Sequence, residues 1–375
     1  MKQILAVYRV YVLGHALPVG DVVHRQLVAN RGVEHGAQTG GLVGLGNDAS
    51  GKTVTAKLAP SFVFSLALVG VDNVFQRVPL AGGVEQMSHQ ANDQAEGLRR
   101  LLGKQIPKVI AFVSGGARVG KTSAAINLAV AIAQCGRGVL LLDENAGPRN
   151  VTATLGIRAA ADMIDAVRGT RALEKTLVPG PEGIVILPAA RALRESIDES
   201  ALGRIVDGFA RVCANLDFIL VDTAVGASSR LLPLSNSGQK TILIANTSAA
   251  AQADALGMIK LMHRDYGARF LHLLVCMTRS EADGEATYYN LANVAQRRLG
   301  ANVELLGATG LDERLAQAAR AGRSVVEMFP QASSSIRWRQ QAQEIMRWPL
   351  ARQAEHGMER LVQCLARQPM ALMHA

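Results

Sequence analysis

The sequence is poor in aromatic residues and in cysteine. Phe, Trp and Tyr make up only 4% of 375 residues, so a chain that is 49% hydrophobic must build its core mainly from aliphatic side chains and alanine. The cysteines form no CxxC pair, which argues against a metal site and against a disulfide framework. We therefore predict reduced, cytoplasmic thiols at Cys135, Cys213, Cys276 and Cys364.

Long hydrophobic runs and runs of like charge are also missing. The longest apolar run, residues 61–71, is too short to cross a bilayer. Arg9 interrupts the apolar start of the chain, which has no clear signal-peptide cleavage site. The net charge of +9 comes from dispersed residues, so we expect a mildly basic, solvated surface, and nucleic acid is not an expected partner. These observations together predict a cytoplasmic protein.

From about residue 106 the sequence alternates between short apolar runs and helical stretches. Helices are predicted over 121–134 and 253–267, each between runs that are apolar throughout. Strands buried on both faces and alternating with helices indicate an α/β fold, with a doubly wound, mostly parallel sheet and helices on both of its faces. The predicted strands are 109–114, 138–143, 183–188, 218–222, 241–246, 270–276 and 302–308.

The predicted domain organisation has four parts. Residues 1–86 carry scattered glycines without strand–helix alternation. They are expected to be either an irregular extension or a stretch that precedes a true start at Met87. A short helix is predicted within 87–105, the α/β domain over 106–345, and a C-terminal helix within 346–375.

Two stretches, 46–53 and 115–122, have the spacing of a phosphate-binding loop. Such a loop must follow a buried strand and open a helix, because backbone N–H groups and the helix dipole hold the phosphates. The upstream stretch follows a poor strand at 39–45, and Pro60 would end any helix after it. The downstream stretch meets both conditions. The candidate nucleotide-binding residues are therefore Gly115, Gly116, Ala117, Arg118, Val119, Gly120, Lys121, Thr122 and Ser123.

A Mg²⁺ site beside this loop needs a carboxylate at the end of a neighbouring strand. Asp222 follows four apolar residues and meets that requirement, and the Thr122 hydroxyl is the second predicted ligand. Gly226 stands where a backbone amide can sense the γ-phosphate. The simpler interpretation of Asp222, a helix cap or turn former, is disfavoured by the phosphate loop in the same sheet. The predicted cofactors are ATP and Mg²⁺.

These motifs together resemble the MinD/ParA family of ATPases, and within it the flagellar-number regulators of the FlhG (FleN) type. The resemblance covers about residues 93–345, and its clearest parts besides the phosphate loop are 140–156 as switch I and 217–226 as switch II. It implies an ATPase that forms an ATP-dependent homodimer. It also implies catalytic positions at Lys121, Asp143 and Asn145, and it makes Asp143 a third candidate Mg²⁺ ligand.

The segment NDQAEGLRRLLG (92–103) matches the D-Q-A-x-x-L-R element that precedes the ATPase domain in FlhG-type proteins. The resemblance implies that it docks on an SRP-type GTPase (FlhF-like), where Gln94 would orient the water that attacks GTP. The residues alone also allow a capped helix that packs on its own domain. The candidate partner-activating residues are Asp93, Gln94, Leu98 and Arg99.

Several positions depart from the family pattern. Gly116 replaces a lysine that reaches the partner's phosphates, and Arg118 offers a positive charge two residues later. Asn145 replaces an aspartate that positions the hydrolytic water, and an amide cannot accept a proton from it. The stretch 244–254 lacks the family's Pro-Glu pair, although Asp254 keeps the matching aspartate, and Cys276 replaces an adenine-reading asparagine. We therefore predict that the chain binds Mg·ATP and hydrolyses it slowly or not at all.

The C-terminal stretch 358–373 has one apolar helical face, which is suited either to peripheral contact with a membrane or to packing on the ATPase domain. Both alternatives stay open at this point. The predicted function is nucleotide-dependent regulation of flagellar number, placement and assembly. The alternatives are a non-hydrolysing nucleotide-binding interaction protein and a ParA-like ATPase that positions cargo on DNA.

Overall fold

The structure is a computed structural model that describes residues 9–12, 15–18, 42–47, 53–57, 107–235, 240–348 and 357–366. The chain divides into two units, Met1–Gly82 and Gly83–Ala375. The described residues of the first unit form two antiparallel pairs of strands. These are β1 (Arg9–Val12) with β2 (His15–Pro18), and β3 (Leu42–Asn47) with β4 (Thr53–Lys57).

The β3–β4 pair corrects one expectation from the sequence. The part of the stretch 39–45 from Leu42 onward lies in a strand, Leu42–Asn47, which is paired with a neighbour that is rich in β-branched residues. The upstream stretch 46–53 begins within β3 and ends at Thr53, the first residue of β4, so a strand and not a helix follows it. This is not the geometry that a phosphate-binding loop requires.

The second unit contains one large sheet. Its strands are β5 (Lys108–Val113), β6 (Val139–Asp143), β7 (Val178–Pro179), β8 (Val185–Pro188), β9 (Phe218–Asp222), β10 (Lys240–Asn246), β11 (Phe270–Thr278) and β12 (Asn302–Gly310). Their order is β12-β11-β10-β5-β9-β6-β8-β7, and all neighbours are parallel except β7 and β8. Every predicted strand is present and the predicted fold class is confirmed. The two-residue edge strand β7 was not predicted.

The helices of this unit alternate with the strands. They are α1 (Lys121–Ala133), α2 (Val151–Thr154), α3 (Met163–Val167), α4 (Glu199–Cys213), α5 (Ala249–Tyr266), α6 (Glu281–Leu299), α7 (Glu313–Arg320), α8 (Val325–Met328), α9 (Ser333–Arg347) and α10 (Gly357–Ala366). Helix α5 begins earlier than the predicted residue 253, because the Ser248 side chain caps it by accepting the Ala251 N–H. It ends at Gly267, whose φ of 65° lies in the left-handed region.

Helices cover both faces of the large sheet. Helices α1, α8 and α9 pack on one face, together with Phe112 and Trp338. Helices α4, α5, α6 and α10 pack on the other face, around Phe209. Aliphatic side chains and alanine make up most of both layers, as the shortage of aromatic residues predicts. The carboxyl ends of β5, β6 and β9 meet at one edge of the sheet, which is where open α/β sheets bind ligands.

The apolar face of α10 lies in the core. Met358, Leu361, Val362 and Leu365 are buried in the same hydrophobic layer as α4 and α5. This is the packed arrangement, one of the two that the sequence leaves open. Among the described residues, no helix is both long enough and apolar enough to cross a membrane.

Candidate nucleotide-binding site

The loop from Ser114 to Gly120 joins the buried strand β5 to α1. Gly120 immediately precedes α1 with a φ of 94°. A Cβ atom at this position would lie 3.2 Å from Cβ of Cys276, so both the backbone and the available space favour glycine. Arg118 has a φ of 62°, which is uncommon for a residue with a side chain. Its side chain is exposed, at the outer surface of the loop.

Backbone N–H groups of the loop are available to a ligand. Among the residues that the structure describes, the backbone N–H groups of Gly116 to Ser123 donate no hydrogen bond. The first bond of α1 runs from the Ala124 N–H to the Gly120 carbonyl at 2.8 Å, and no side chain caps the helix. Unpaired N–H groups at the start of a helix point their dipoles at a common anion site. The loop can therefore hold phosphate groups.

The side chains of Lys121 and Thr122 both meet the carboxylate of Asp222. The buried Lys121 ammonium group donates to one carboxylate oxygen and also to the carbonyl oxygen of Thr223. The Thr122 hydroxyl donates to the other carboxylate oxygen at 2.7 Å. Asp222 is fully buried at the end of β9, so its charge needs these partners. The sequence-predicted lysine, hydroxyl and carboxylate are thus brought together.

Asp143 ends the neighbouring strand β6 and stands directly beside Asp222 in the sheet register. Its carboxylate accepts hydrogen bonds from the Asn145 N–H at 2.9 Å, from the Asn145 side-chain amide at 3.1 Å and from the Val151 N–H at 2.7 Å. Burial, followed by repulsion from Asp222, raises the pKa of Asp143 to about 7. A divalent cation beside these two carboxylates would relieve that repulsion.

The described residues contain no group of three or more His, Cys, Asp or Glu side chains that could hold a metal by themselves. Mg²⁺ does not require one, since it commonly binds through one or two carboxylates, water and substrate phosphates. Asp222 and the Thr122 hydroxyl fit that pattern, with Asp143 beside them. The donor set is therefore compatible with Mg²⁺ that arrives together with a nucleotide.

Sequence reasoning missed Glu144, which follows Asp143 and is buried. Its carboxylate accepts hydrogen bonds from the backbone of Ala224 and Arg230 and from the Ser229 hydroxyl. It therefore holds the segment that contains Gly226, whose N–H donates to the Ser114 carbonyl at 2.9 Å. An acidic residue directly after an apolar strand was the available signal.

Asp254, the aspartate that matches the family pattern, lies on α5 against the phosphate loop. A Cβ atom at Gly115 would lie 2.0 Å from the Asp254 carbonyl oxygen, and one at Gly116 would lie 2.3 Å from its carboxylate oxygen Oδ2. The start of α5 thus lies against the first turn of the phosphate loop.

Cys276 lies beside the loop, next to Gly120. Burial raises the pKa of its thiol to about 12, so the group is neutral and can pack against Gly120. The partner-activating residues predicted from the sequence lie outside the described residues. These are Asp93, Gln94, Leu98 and Arg99.

A strand, an open amide loop and a helix, with a lysine and a hydroxyl on a strand-end carboxylate, are the features of a P-loop NTPase. A family model described as "ParA: NUBPL iron-transfer P-loop NTPase" matches residues 105–346. The chain belongs to this ParA/MinD family of P-loop NTPases.

Individual relatives agree with that assignment. The antiactivator FleN of Pseudomonas aeruginosa is 31% identical over 264 residues, which cover 70% of this chain and 94% of FleN. The flagellum site-determining protein YlxH of Helicobacter pylori is 27% identical over 236 residues, which cover 57% of this chain and 76% of YlxH. Among solved structures, the MinD cell division protein of Aquifex aeolicus matches with a TM-score of 0.52 and 24% identity. That match covers 65% of this chain and 100% of MinD, and it supports the fold.

Proposed function

We propose that this protein is an ATP-binding, MinD-like regulator of flagellar number or placement, with weak or absent ATP hydrolysis. The observation that carries the nucleotide part is the open amide loop with Lys121 and Thr122 on Asp222. The flagellar part rests on the similarity to FleN and YlxH, whose names describe a flagellar role for YlxH and an antiactivator for FleN.

The proposed roles follow from the positions of the side chains. Loop amides would bind the phosphates, and Lys121 would move from Asp222 to the β- and γ-phosphate oxygens. Thr122 and Asp222 would then hold Mg²⁺, which neutralises phosphate charge. Gly226 would contact the γ-phosphate only after its N–H leaves the Ser114 carbonyl. Cys276 would line the base pocket without a polar group that reads adenine.

Weak hydrolysis is supported by the orientation of Asn145. Its side-chain amide donates to Asp143 and, at 3.0 Å, to the Asp222 carbonyl, so the side chain acts as a donor at the end of the sheet. A group that activates water must accept a proton, and the Asn145 amide does not. Gly116 also lacks the charge that the family places across the dimer, and Arg118 is the candidate replacement.

The proposed partner is an SRP-type GTPase of the FlhF type, which would be contacted through residues 92–103. Gln94 would complete the GTPase site of that partner, and Asp93, Leu98 and Arg99 would dock the helix. A second copy of this chain is the other proposed partner, in an ATP-dependent homodimer. Peripheral contact with a membrane through 358–373 would require α10 to leave the core, because its apolar face is buried.

The same observations favour one further candidate, a nucleotide-binding interaction protein that never hydrolyses ATP. Asn145 is the residue that supports it. Both candidates bind nucleotide, and a measurable ATP turnover that Lys121→Ala abolishes would exclude the second one.

The test compares Mg·ATP binding and ATP turnover of the full chain with those of Lys121→Ala. We expect binding by the unsubstituted chain, little turnover, and loss of binding in Lys121→Ala. A second arm adds an FlhF-type GTPase and compares the chain with Gln94→Ala, which should lose stimulation of GTP hydrolysis while it keeps ATP binding. Absence of Mg·ATP binding would overturn the nucleotide proposal, and unchanged stimulation by Gln94→Ala would overturn the partner proposal.

A further inference from the structure

Residues Ala224 to Arg230, the 224–230 segment, follow β9 and lie against the phosphate loop. Gly226 in its middle donates its N–H to the Ser114 carbonyl at 2.9 Å. A Cβ atom on Gly226 would lie 3.5 Å from the Gly115 carbonyl oxygen, so the contact with the loop is close. Any rearrangement that brings Gly226 toward a phosphate must first break this contact.

Glu144 binds the 224–230 segment at both of its ends. One carboxylate oxygen accepts the Ala224 N–H at 2.8 Å and the Ser229 hydroxyl, and the other accepts the Arg230 N–H at 2.7 Å. Its own N–H donates to the Asp222 carbonyl at 3.0 Å, so Glu144 is itself held at the end of the sheet. A single buried side chain therefore joins the strand end of Asp143 to the segment after Asp222.

The chemistry of these contacts requires a carboxylate. All three groups that face Glu144 donate, so an ionised carboxylate satisfies every one of them, whereas an amide would turn an N–H₂ group toward another donor. Burial raises the pKa of Glu144, and the three donated hydrogen bonds oppose that rise. Hydrogen bonds to an ionised group are stronger than those between neutral groups.

The side chain of Arg230, the last residue of the 224–230 segment, also fixes the segment in place. The Arg230 guanidinium donates to the carbonyls of Glu195 at 2.9 Å and Leu365 at 2.6 Å, and to those of Leu193 and Cys364. Glu144, at the end of the sheet, thus accepts hydrogen bonds from the backbone of the segment, and the Arg230 side chain joins the segment to the end of α10. Both attachments resist movement of the residues between them.

We propose that Glu144 is a positioning residue that holds the 224–230 segment in place, so that Gly226 stays on Ser114 until bound nucleotide displaces it. The inference rests on the proposed nucleotide site. Release of the segment costs free energy when nucleotide binds, and this cost lowers the observed affinity for nucleotide. Weakening the Glu144 contacts should therefore strengthen nucleotide binding.

The experiment uses the full chain and its Glu144→Gln variant. Hydrogen–deuterium exchange without nucleotide should show the Ala224 and Arg230 amides exchanging at least about tenfold faster in the variant, because their charged acceptor is lost. Mg·ATP should bind the variant several-fold more tightly than the unsubstituted chain. A purely structural role predicts the opposite, a looser segment together with weaker binding.

Ser229→Ala is the matched control, because it removes the hydroxyl contact to Glu144, together with the acceptor of the Leu231 N–H, and keeps both amide contacts to Glu144. It should leave the exchange of Ala224 and Arg230 close to that of the unsubstituted chain. Unchanged exchange in Glu144→Gln, or weaker Mg·ATP binding by that variant, overturns the proposal. If neither protein binds Mg·ATP, the proposed function fails, and the exchange without nucleotide still decides whether Glu144 holds the segment.

Discussion

Lys121 and Asp222 form a buried ion pair at the carboxyl edge of the sheet, between the first residue of α1 and the last residue of β9. The Thr122 hydroxyl shares the same carboxylate at 2.7 Å. In this arrangement, the lysine that is proposed to contact phosphate neutralises the carboxylate that is proposed to hold Mg²⁺. Binding of Mg·ATP would supply a new counter-charge to each member of the pair.

The first prediction concerns the stability of this pair. Lys121→Met alone leaves the Asp222 carboxylate buried without its cation, and we expect a loss of about 3 kcal/mol in the free energy of unfolding. The double variant Lys121→Met/Asp222→Asn should lose less than Lys121→Met, because no charge is left unpaired. Urea unfolding measures both. A double variant that is less stable than the single one would contradict the prediction.

The second prediction separates two adjacent glycines. Gly115→Ala would place a methyl group against the backbone carbonyl of Asp254, which cannot move without shifting α5. We expect a loss of about 2 kcal/mol in unfolding free energy. Gly116→Ala is the matched control, because the obstructing atom is the end of an exposed carboxylate that can rotate away. Equal losses in thermal or urea unfolding would show that α5 does not lie against the loop in this way.

The third prediction tests the altered catalytic position. Asn145→Asp supplies a group that can accept a proton, and we expect ATP turnover to rise roughly tenfold or more. Unfolding free energy should fall at the same time, since Asp143 loses an amide donor and gains a like charge. Asn145→Ala controls for the lost donor and should reduce stability without raising turnover. A steady-state phosphate-release assay distinguishes the two variants.

The fourth prediction concerns His272, which is buried and packs its ring against Trp348 at 4.2 Å between centroids. Burial, and then the nearby charge of Lys240, lower the pKa of His272 to about 4. The folded state therefore keeps His272 neutral, while the unfolded chain takes up a proton near pH 6.5. The stabilising contribution is complete above about pH 6.5 and declines toward pH 4, by on the order of 3 kcal/mol.

Between pH 6.5 and 4, unfolding of the unsubstituted chain is accompanied by proton uptake at His272. His272→Leu lacks this uptake of about one proton, so its unfolding free energy should depend less steeply on pH in this range. Urea unfolding of both proteins at several pH values measures this difference. Equal slopes for the two proteins would mean that His272 titrates alike in the folded and unfolded states.

The fifth prediction concerns the C-terminal helix. Leu361 is completely buried, so Leu361→Ala should reduce the free energy of unfolding by about 2–5 kcal/mol. Arg360→Ala, next to it on a partly exposed face, should have a small effect. Without nucleotide, the intact chain should not sediment with anionic vesicles, because the apolar face of α10 is occupied. Sedimentation under those conditions would contradict the packed arrangement.

Strands and the phosphate loop were predictable because each depends on neighbours in the sequence. An apolar run such as Phe218–Val221 must be buried wherever it lies, and Lys121 and Thr122 open a helix directly after a glycine-rich turn. The strand Leu42–Asn47 was missed because its glycines disfavour a strand locally, and the pairing with Thr53–Lys57 overrides that preference.

The long-range contacts of Glu144 and Asp254 could not be predicted from the sequence. Glu144 contacts residues about eighty positions away, and Asp254 lies against a loop that is well over a hundred positions earlier in the chain. The pattern of neighbouring residues does not show which residues so far apart in the sequence will be in contact. The partners of Glu144 and Asp254 become their neighbours only when the sheet brings the strands and helices together.

The sequence by itself determined the alternation of strands and helices, the choice of the downstream phosphate loop, and the residue types that can bind Mg²⁺ and phosphate. These properties depend on hydrophobic periodicity and on short spacings. Only the tertiary structure decided that Lys121 pairs with Asp222, that Glu144 holds the 224–230 segment, and that the apolar face of α10 is buried. The physical reason is that ion pairs, buried hydrogen bonds and core packing join residues distant in the sequence, so they exist only once the sheet has formed.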